Sequence, residues 1–396
     1  MTAGGPPTAS APRRYEALDG LRGVCALLVC LFHFRANGPI ASLEFIRGSW
    51  LFVDFFFVLA GFVIAASYRE RLTKGQFLYG FAILRFGRVY PLHLFMLVIF
   101  VVFELFGLAL SSQGLMQRQP FDPDHSFLAI FTSLALIQAF GLHDGLTWNH
   151  PSWSVAVEFW TYVGFALLAR WAGAALEKWL VVVAVLCVVV LASVTDYGMN
   201  VTYRWSLFRC IYGFAIGALV WWLWSGLKVA PSTRLLGGTS AELLAVALVV
   251  GYVTWLSNSR ANLLSPLVFG AVVLVFAQER GAVSRLLMTA PLRRLGLLSY
   301  SIYMVHVFIQ SRMDDAVRVT EKLTGMVLTI PRGALTLVGG TPLEGVLFTV
   351  LMLAIVVAVS HVTLKMVEEP GRRWSQRVAA AGHGLPSRVG DLKKPA

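Results

Sequence analysis

The chain has 396 residues, of which 57% are hydrophobic and only 14% are charged. An average soluble protein carries about 25% charged residues, so this composition excludes a chain that folds entirely in water. Apolar runs that reach the roughly 20 residues needed to cross a hydrocarbon core recur along the whole length. The sequence therefore predicts a multi-pass membrane protein.

The chain has 33 lysines and arginines against 21 acidic residues, a balance that raises the question of nucleic-acid binding. The basic residues instead cluster at the ends of apolar runs, near residues 13–22, 69–88, 280–294 and 372–394. This distribution is typical of the positive-inside bias, and the aromatic and basic interleaving of single-strand binders is missing. We expect membrane lipids as partners and no nucleic acid.

Eleven apolar runs are candidate helices. In chain order they cover residues 20–36, 50–68, 88–110, 127–141, 152–172, 178–194, 205–225, 240–256, 262–277, 294–312 and 344–366. Eleven crossings would place two basic groups on the side that the charge rule disfavours, and the run 127–141 is short for a span. Continuous apolar runs also exclude an alternating β-barrel. We predict an all-α bundle of about ten transmembrane helices with both termini cytoplasmic, in which 127–141 does not cross.

This arrangement divides the chain into three segments. Residues 1–14 form a cytoplasmic tail, 15–370 the membrane domain and 371–396 a basic cytoplasmic tail, while the polar link 313–343 lies outside. The four cysteines lie in apolar runs without paired spacing, which favours packing roles. His33 interrupts the first apolar run and no small-residue cleavage signature is present, so we expect no removable signal peptide.

Ionisable side chains inside apolar runs are costly in lipid and mark functional sites. Arg22 and His33 are eleven positions apart, which places them on one face of the first helix and about 16 Å apart along its axis. Asp19 can pair with Arg22 but is too far from His33 to orient it. A different carboxylate is therefore expected beside the histidine.

Three further residues are expected at the depth of His33. Asp54 and Glu158 lie near the starts of helices that enter from outside, and His306 lies twelve residues beyond Arg294. An imidazole held by a carboxylate is a general base for a hydroxyl group. Each residue also has a structural interpretation: the two histidines could bond backbone or neighbouring hydroxyl groups, Asp54 could cap its helix, and Glu158 could bond a neighbouring helix.

Two shorter motifs suggest binding. Arg85 and Arg88 share a helical face before Pro91, which suits bidentate recognition of phosphate, although positive-inside anchoring explains them equally well. Aromatic faces beside amide and imidazole groups could also meet a sugar acceptor, and interfacial anchoring is the alternative. The candidate acceptor residues are Trp148, Asn149, His150 and Trp153.

Six motifs in order resemble those of the acyltransferase 3 family of bacterial inner-membrane proteins. They are Asp19-Gly-Leu-Arg22-Gly with His33, Val53-Asp54 before Phe55–Phe62, Arg85 and Arg88 with Pro91, Trp153-Ser154 with Glu158, Leu298–Tyr303 with His306, and Glu369-Pro370. The resemblance covers residues 15–373. Ala60 departs from it, since serine usually precedes the Gly-Phe pair, and the periplasmic esterase-like domain of some members is missing.

The resemblance implies transfer of an acyl group, often acetyl, from a cytoplasmic donor such as acetyl-CoA to a hydroxyl of a cell-envelope or exported glycan or glycolipid. It places Arg22 and His33 on the catalytic face and Arg85 and Arg88 at the donor. We expect His33, steadied by Asp54 or Glu158, to activate the acceptor. No metal is expected.

Two other classes stay open at this point. Buried histidines and carboxylates also serve as proton relays, so a proton-coupled transporter or flippase of an envelope precursor is the main alternative. Matching halves with broken helices would favour it, and none are visible. A non-catalytic scaffold is the third possibility. The sequence leaves open the acceptor, the acyl chain, the oligomeric state and whether His33 acts as base or acyl carrier.

Overall fold

The structure is a computed structural model that describes residues 14–111, 121–227, 237–333 and 335–381. Within these residues the protein is helical apart from one two-stranded hairpin. The helices are α1 (Glu16–His33), α2 (Pro39–Ser42), α3 (Glu44–Arg47), α4 (Phe52–Thr73), α5 (Leu78–Ser111), α6 (Phe127–Leu134), α7 (Ser152–Ala172), α8 (Leu176–Val194), α9 (Ser206–Leu227), α10 (Thr239–Leu256), α11 (Ser265–Phe276), α12 (Ala282–Leu287), α13 (Ala290–Thr324), α14 (Pro342–Thr363) and α15 (Glu369–Ala381). The outer parts of the predicted tails, 1–13 and 382–396, lie outside the described residues.

Six helical stretches of the described chain are long and apolar enough to cross a membrane. They are Glu44–Thr73, Leu78–Ala109, Ser152–Val194, Ser206–Leu227, Thr239–Leu256 and Pro342–Ala381. The third stretch holds both α7 and α8, and the chain turns between them at Gly173, where φ is 54°. The prediction of an all-α, multi-pass membrane protein is confirmed. The number of ten crossings and the side of each terminus stay predictions.

The predicted helices lie close to the observed ones, with two larger differences. α5 begins at Leu78 rather than at 88, and α13 continues to Thr324 rather than ending near 312. The predicted link 313–343 therefore begins as a helix up to Thr324, and its place outside the membrane stays a prediction. Polarity rises along α13 without a helix-breaking residue, and charged residues such as Arg, Lys and Glu are good helix formers.

The run 127–141 contains only a short helix, in agreement with its predicted failure to cross. α6 has 8 residues, which corresponds to about 12 Å of helix. A turn with Leu136 at φ 56° ends it. The segment that follows α6 is exposed at residues 140–142 and becomes buried at residues 147–149, just before α7 begins.

α1 packs against α12 and α13 almost backbone to backbone through glycines. A Cβ atom on Gly23 would lie 2.5 Å from the carbonyl carbon of Leu295, and one on Gly296 would lie 2.2 Å from the Asp19 carbonyl oxygen. At Gly20 the Leu287 carbonyl oxygen would be 2.3 Å away. Small residues allow this close approach in membrane bundles. The contact fixes the height of α1 relative to α13.

The C-terminal end of α1 is covered by the hairpin of β1 (Thr329–Arg332) and β2 (Leu335–Val338), which pair antiparallel. The Val338 N–H donates to the Arg35 carbonyl at 2.9 Å, and the Asn37 N–H donates to the Val338 carbonyl at 2.7 Å. A distant part of the chain thus holds the segment that follows α1.

α15 packs tightly on α5 near the end of the described chain. A Cβ atom on Gly371 would lie 2.4 Å from Pro91 Cγ, and one on Gly87 would lie 2.2 Å from Ser375 Cβ. The predicted domain boundary after residue 370 falls within α15.

Candidate active site

A cavity of about 160 Å³ opens between α1, α4, α5, α7 and α13; we call it the arginine cavity. Apolar residues of α4 form one wall. Its polar lining consists of Arg22, Arg85, Arg88, Ser154, Glu158, Tyr162, Ser299, Tyr300 and Tyr303. Three guanidinium groups in one cavity form a site for a ligand with several negative charges, because guanidinium binds phosphate and carboxylate groups bidentately.

Arg22 is held in this cavity by three groups. Its Nε donates to Ser299 Oγ and its Nη2 donates to the Gly296 carbonyl, both at 2.9 Å. The predicted pair with Asp19 is confirmed, with 3.0 Å between Nη2 and Oδ1. These contacts orient the guanidinium before any ligand arrives, which lowers the entropy that binding would cost.

Arg85 and Arg88 both line the cavity, as their predicted common face requires. Arg85 Nη2 donates to the Tyr68 hydroxyl at 3.2 Å, while its Nε is buried and has no hydrogen-bond partner among the described residues. Arg88 lies 5.9 Å from the centre of the Tyr300 ring. A buried guanidinium with an unused donor is suited to an incoming anion.

Glu158 lies in the arginine cavity and not beside His33, so the expectation that it orients the histidine was wrong. The Tyr162 hydroxyl donates to Glu158 Oε1 at 2.5 Å. Glu158 is six residues into α7, on the part of the helix that lines the arginine cavity together with Ser154 and Tyr162. The carboxylate consequently meets the arginines.

His33 lies at the other end of α1, at a second cavity of about 420 Å³ that we call the histidine cavity. Its side chain is exposed to this space. The cavity is also lined by Arg35, Arg47, Asn258 and Leu335, the last from the hairpin. It offers room for a polar group next to the imidazole.

His306 is the partner of His33, with 3.3 Å between His306 Nε2 and His33 Nδ1. His306 Nδ1 lies 2.7 Å from the Tyr303 carbonyl and must donate to it, so Nε2 of neutral His306 is an acceptor. His33 Nδ1 is within reach of two acceptors, His306 Nε2 and, at 2.9 Å, the Val29 carbonyl. It therefore carries the proton, which leaves His33 Nε2 with a free lone pair.

Asp54 does not contact His33, and the expectation that it orients the histidine was also wrong. Arg209 of α9 binds it, with Nε–Oδ1 at 2.7 Å and Nη2–Oδ2 at 3.2 Å. Ser265 Oγ donates to Asp54 Oδ2 at 3.0 Å. Both ions are fully buried, at 1% and 0% exposure. The pair joins α4, α9 and α11.

Of the four candidate acceptor residues, His150 alone is partly exposed. Trp148 is 1% and Trp153 6% exposed, so the expected open aromatic faces are not present. Trp153 covers the Arg209 guanidinium, and Asn149 donates to the Met304 carbonyl at 2.9 Å. Burial lowers the pKa of the His150 imidazole, and the nearby Asp124 acts in the opposite direction.

Several site residues escaped the sequence analysis. Arg209 lies in an apolar helix, so the rule that intramembrane charges mark important positions would have identified it. Tyr162 carries no such signal, because uncharged polar residues are common in membrane helices. Ser299 and Tyr303 lie in the motif noted beside His306, but the sequence did not predict that they line the arginine cavity. The described residues contain no group of three or more His, Cys, Asp or Glu side chains arranged to hold a metal ion.

The sequence is similar to known acyltransferases. Residues 15–361 match the family profile described as "Acyltransferase domain" of the acyltransferase 3 family. The acyltransferase MdmB of Streptomyces mycarofaciens is 27% identical over 91% of this chain and 92% of its own length. The peptidoglycan O-acetyltransferase OatA of Listeria monocytogenes is 24% identical over 78% of this chain and 51% of its own.

A third relative, Protein 2 in the picA locus of Rhizobium radiobacter, is 32% identical over 48% of this chain and 98% of its own length. No solved structure matches the chain. The family profile covers most of the chain, including both cavities. The chain therefore belongs to the acyltransferase 3 family, and it is a membrane-bound O-acyltransferase.

Proposed function

We propose that the protein moves an acyl group, most simply acetyl, from cytoplasmic acyl-CoA to a hydroxyl of a cell-envelope or exported glycan, in the inner membrane of a bacterium. The observation that carries this proposal is the placement of an arginine cavity and a histidine cavity at opposite ends of α1. Arg22 and His33 mark the two ends, about 16 Å apart along the helix axis.

The arginine cavity fits the donor. CoA carries phosphates that Arg85 and Arg88 would bind, and a long thioester arm that would extend past Arg22 toward Tyr303. Tyr303 lines the cavity, and its ring centre lies 5.9 Å from that of His306. Tyr303 therefore lies between the arginine cavity and the histidine pair, on the side toward which the thioester arm would extend. A compact acyl donor could not span this distance.

The histidine cavity fits the acceptor. His33 Nε2 would take the proton of the acceptor hydroxyl while the hydroxyl oxygen attacks the thioester carbonyl carbon. The carbon–sulfur bond then breaks, CoA leaves as the thiolate, and the proton on His33 Nε2 passes to the thiolate, so that the products are the acylated acceptor and CoA thiol. His306 Nε2 would accept a hydrogen bond from the Nδ1–H of His33. This bond would hold His33 in the tautomer whose Nε2 is unprotonated and can act as the base. In this chain a second histidine takes the place of the carboxylate we expected.

A glycan acceptor is supported by the similarity to a peptidoglycan O-acetyltransferase. Membranes that contain the protein, incubated with radiolabelled acetyl-CoA, should transfer label to a polysaccharide fraction that mass spectrometry identifies. Label that stays on CoA in the presence of envelope glycans would refute the proposed reaction.

The donor assignment predicts a binding defect for Arg85→Ala combined with Arg88→Ala. Each guanidinium makes charge-assisted hydrogen bonds worth about 1.5–3 kcal/mol, so the double variant should bind CoA at least about 100-fold more weakly. Titration of the purified protein with CoA measures this. Arg71→Ala is the control, because Arg71 stacks on Phe77 outside the cavity. Equal affinity of the double variant and the control would exclude these arginines from the donor site.

His306 is predicted to be a positioning residue. His306→Ala removes one of the two acceptors of His33 Nδ1, the one that fixes the ring from α13, and should lower the turnover number about 10- to 100-fold with unchanged CoA affinity. His306→Gln can still offer an oxygen to His33 and should recover part of the activity. Turnover and CoA titration measure both effects. If the two variants lost activity equally, His306 would have only a packing role.

A further inference from the structure

Glu368 is a buried carboxylate beside the arginine cavity that the reaction above does not use. It ends the five-residue π-helical turn Leu364–Glu368, which joins α14 to α15. π-Helical turns are rare and occur frequently at functional sites. The Glu368 side chain is only 1% exposed, so its charge is not shielded by water.

The two carboxylate oxygens of Glu368 make no hydrogen bond to any part of the chain that the structure describes. Two guanidinium groups flank it instead: Arg88 Nη1 is 3.7 Å and Arg372 Nη2 is 3.9 Å from Oε1. Charge-assisted hydrogen bonds are about 2.7–2.9 Å long. Glu368 is therefore close enough to neutralise these cations and too far away to hold them.

The position of Glu368 is fixed by the packing of α15 on α5. Gly371 lies against Pro91, and Gly87 lies against Ser375, both with no room for a side chain. Arg88 is on the same part of α5 and lines the arginine cavity. The carboxylate consequently stays beside Arg88 when a ligand enters.

We propose that Glu368 is an internal counter-ion that competes with donor phosphates for Arg88 and Arg372 and so weakens the binding of spent CoA. This inference rests on the proposed function and adds Arg372 to the donor site. A phosphate that binds Arg88 must do so in the field of the Glu368 carboxylate, and the repulsion favours release. Product release limits the turnover of many enzymes, so a device that speeds release raises it.

The test compares Glu368→Gln with the wild type. Removal of one nearby negative charge should lower the Kd for CoA about tenfold. The turnover number and the KM for acetyl-CoA should both fall, because the product leaves more slowly. Glu369→Gln is the matched control: Glu369 is the next residue, is half-buried and pairs with Arg373 at 3.1 Å. The affinity of Glu369→Gln for CoA should equal that of the wild type.

Two further arms make the result decisive. Arg372→Gln removes one of the two cations for which Glu368 and the donor phosphates compete, so CoA should bind several-fold more weakly. Unchanged affinity of this variant would overturn the proposal even if Glu368→Gln did not fold. Inorganic pyrophosphate probes the arginines without assuming CoA. If Glu368→Gln binds pyrophosphate more tightly than the wild type while neither binds CoA, the counter-ion is supported and the proposed donor is wrong. Equal or weaker binding of both probes by Glu368→Gln overturns the counter-ion.

Discussion

His33→Ala should abolish acyl transfer while CoA binding stays unchanged. Loss of a general base costs about 10²- to 10⁴-fold in rate, and a covalent role would cost at least as much. The imidazole is exposed to the histidine cavity and does not line the arginine cavity, so its removal should not disturb donor binding or the fold. Transfer of radiolabel from acetyl-CoA to glycan, measured beside CoA titration, tests both expectations.

The control for this variant is His143→Ala. His143 lies in the loop before α7, and its Nε2 bonds Thr132 Oγ1 at 2.8 Å, away from both cavities. The His143→Ala variant should acylate the acceptor at the wild-type rate. Activity of His33→Ala within tenfold of this control would remove His33 from the reaction.

Asp54→Asn should destabilise the protein by about 3–5 kcal/mol, the usual cost when one partner of a buried ion pair is removed. The asparagine keeps the shape of the side chain but leaves the Arg209 charge unpaired at 1% exposure. Thermal unfolding in detergent and the yield of folded protein measure the loss. If Asp54 instead served the reaction, the variant would unfold like the wild type and lose turnover.

A double variant separates charge from shape in this cluster. Replacing a buried ion pair by apolar residues is often nearly neutral, so Asp54→Leu with Arg209→Met should be more stable than Asp54→Asn. Lower stability of the double variant would show that the hydrogen bonds to Ser265 and the Val201 carbonyl matter more than the unpaired charge.

The sequence predicted well the features that depend on one helix. Helix bounds followed from apolar runs, and the pairing of Asp19 with Arg22 and the common face of Arg85 and Arg88 followed from the geometry of a single helix. In each case the two residues lie only three positions apart in the sequence. Local geometry fixes such contacts before tertiary packing acts.

Contacts between helices were predicted less well, because they depend on relative heights and rotations that the sequence does not encode locally. Asp54 and Glu158 were assigned to the level of His33 by counting residues from presumed helix ends. The structure instead pairs Asp54 with Arg209 of α9 and places Glu158 in the arginine cavity, where it bonds Tyr162 of its own helix. A rotation of one helix by one residue, about 100°, is enough to exchange such partners.

The glycine contacts of α1 with its neighbours determine more than packing. Gly23 and Gly296 contact neither histidine, yet they set the position of α1 along α13, and this position decides whether His33 and His306 face each other. The distance between the two histidines at the C-terminal end of α1 therefore depends on glycine contacts in the N-terminal half of the same helix. Selection on chemistry should in consequence constrain these two positions as strictly as it constrains the histidines.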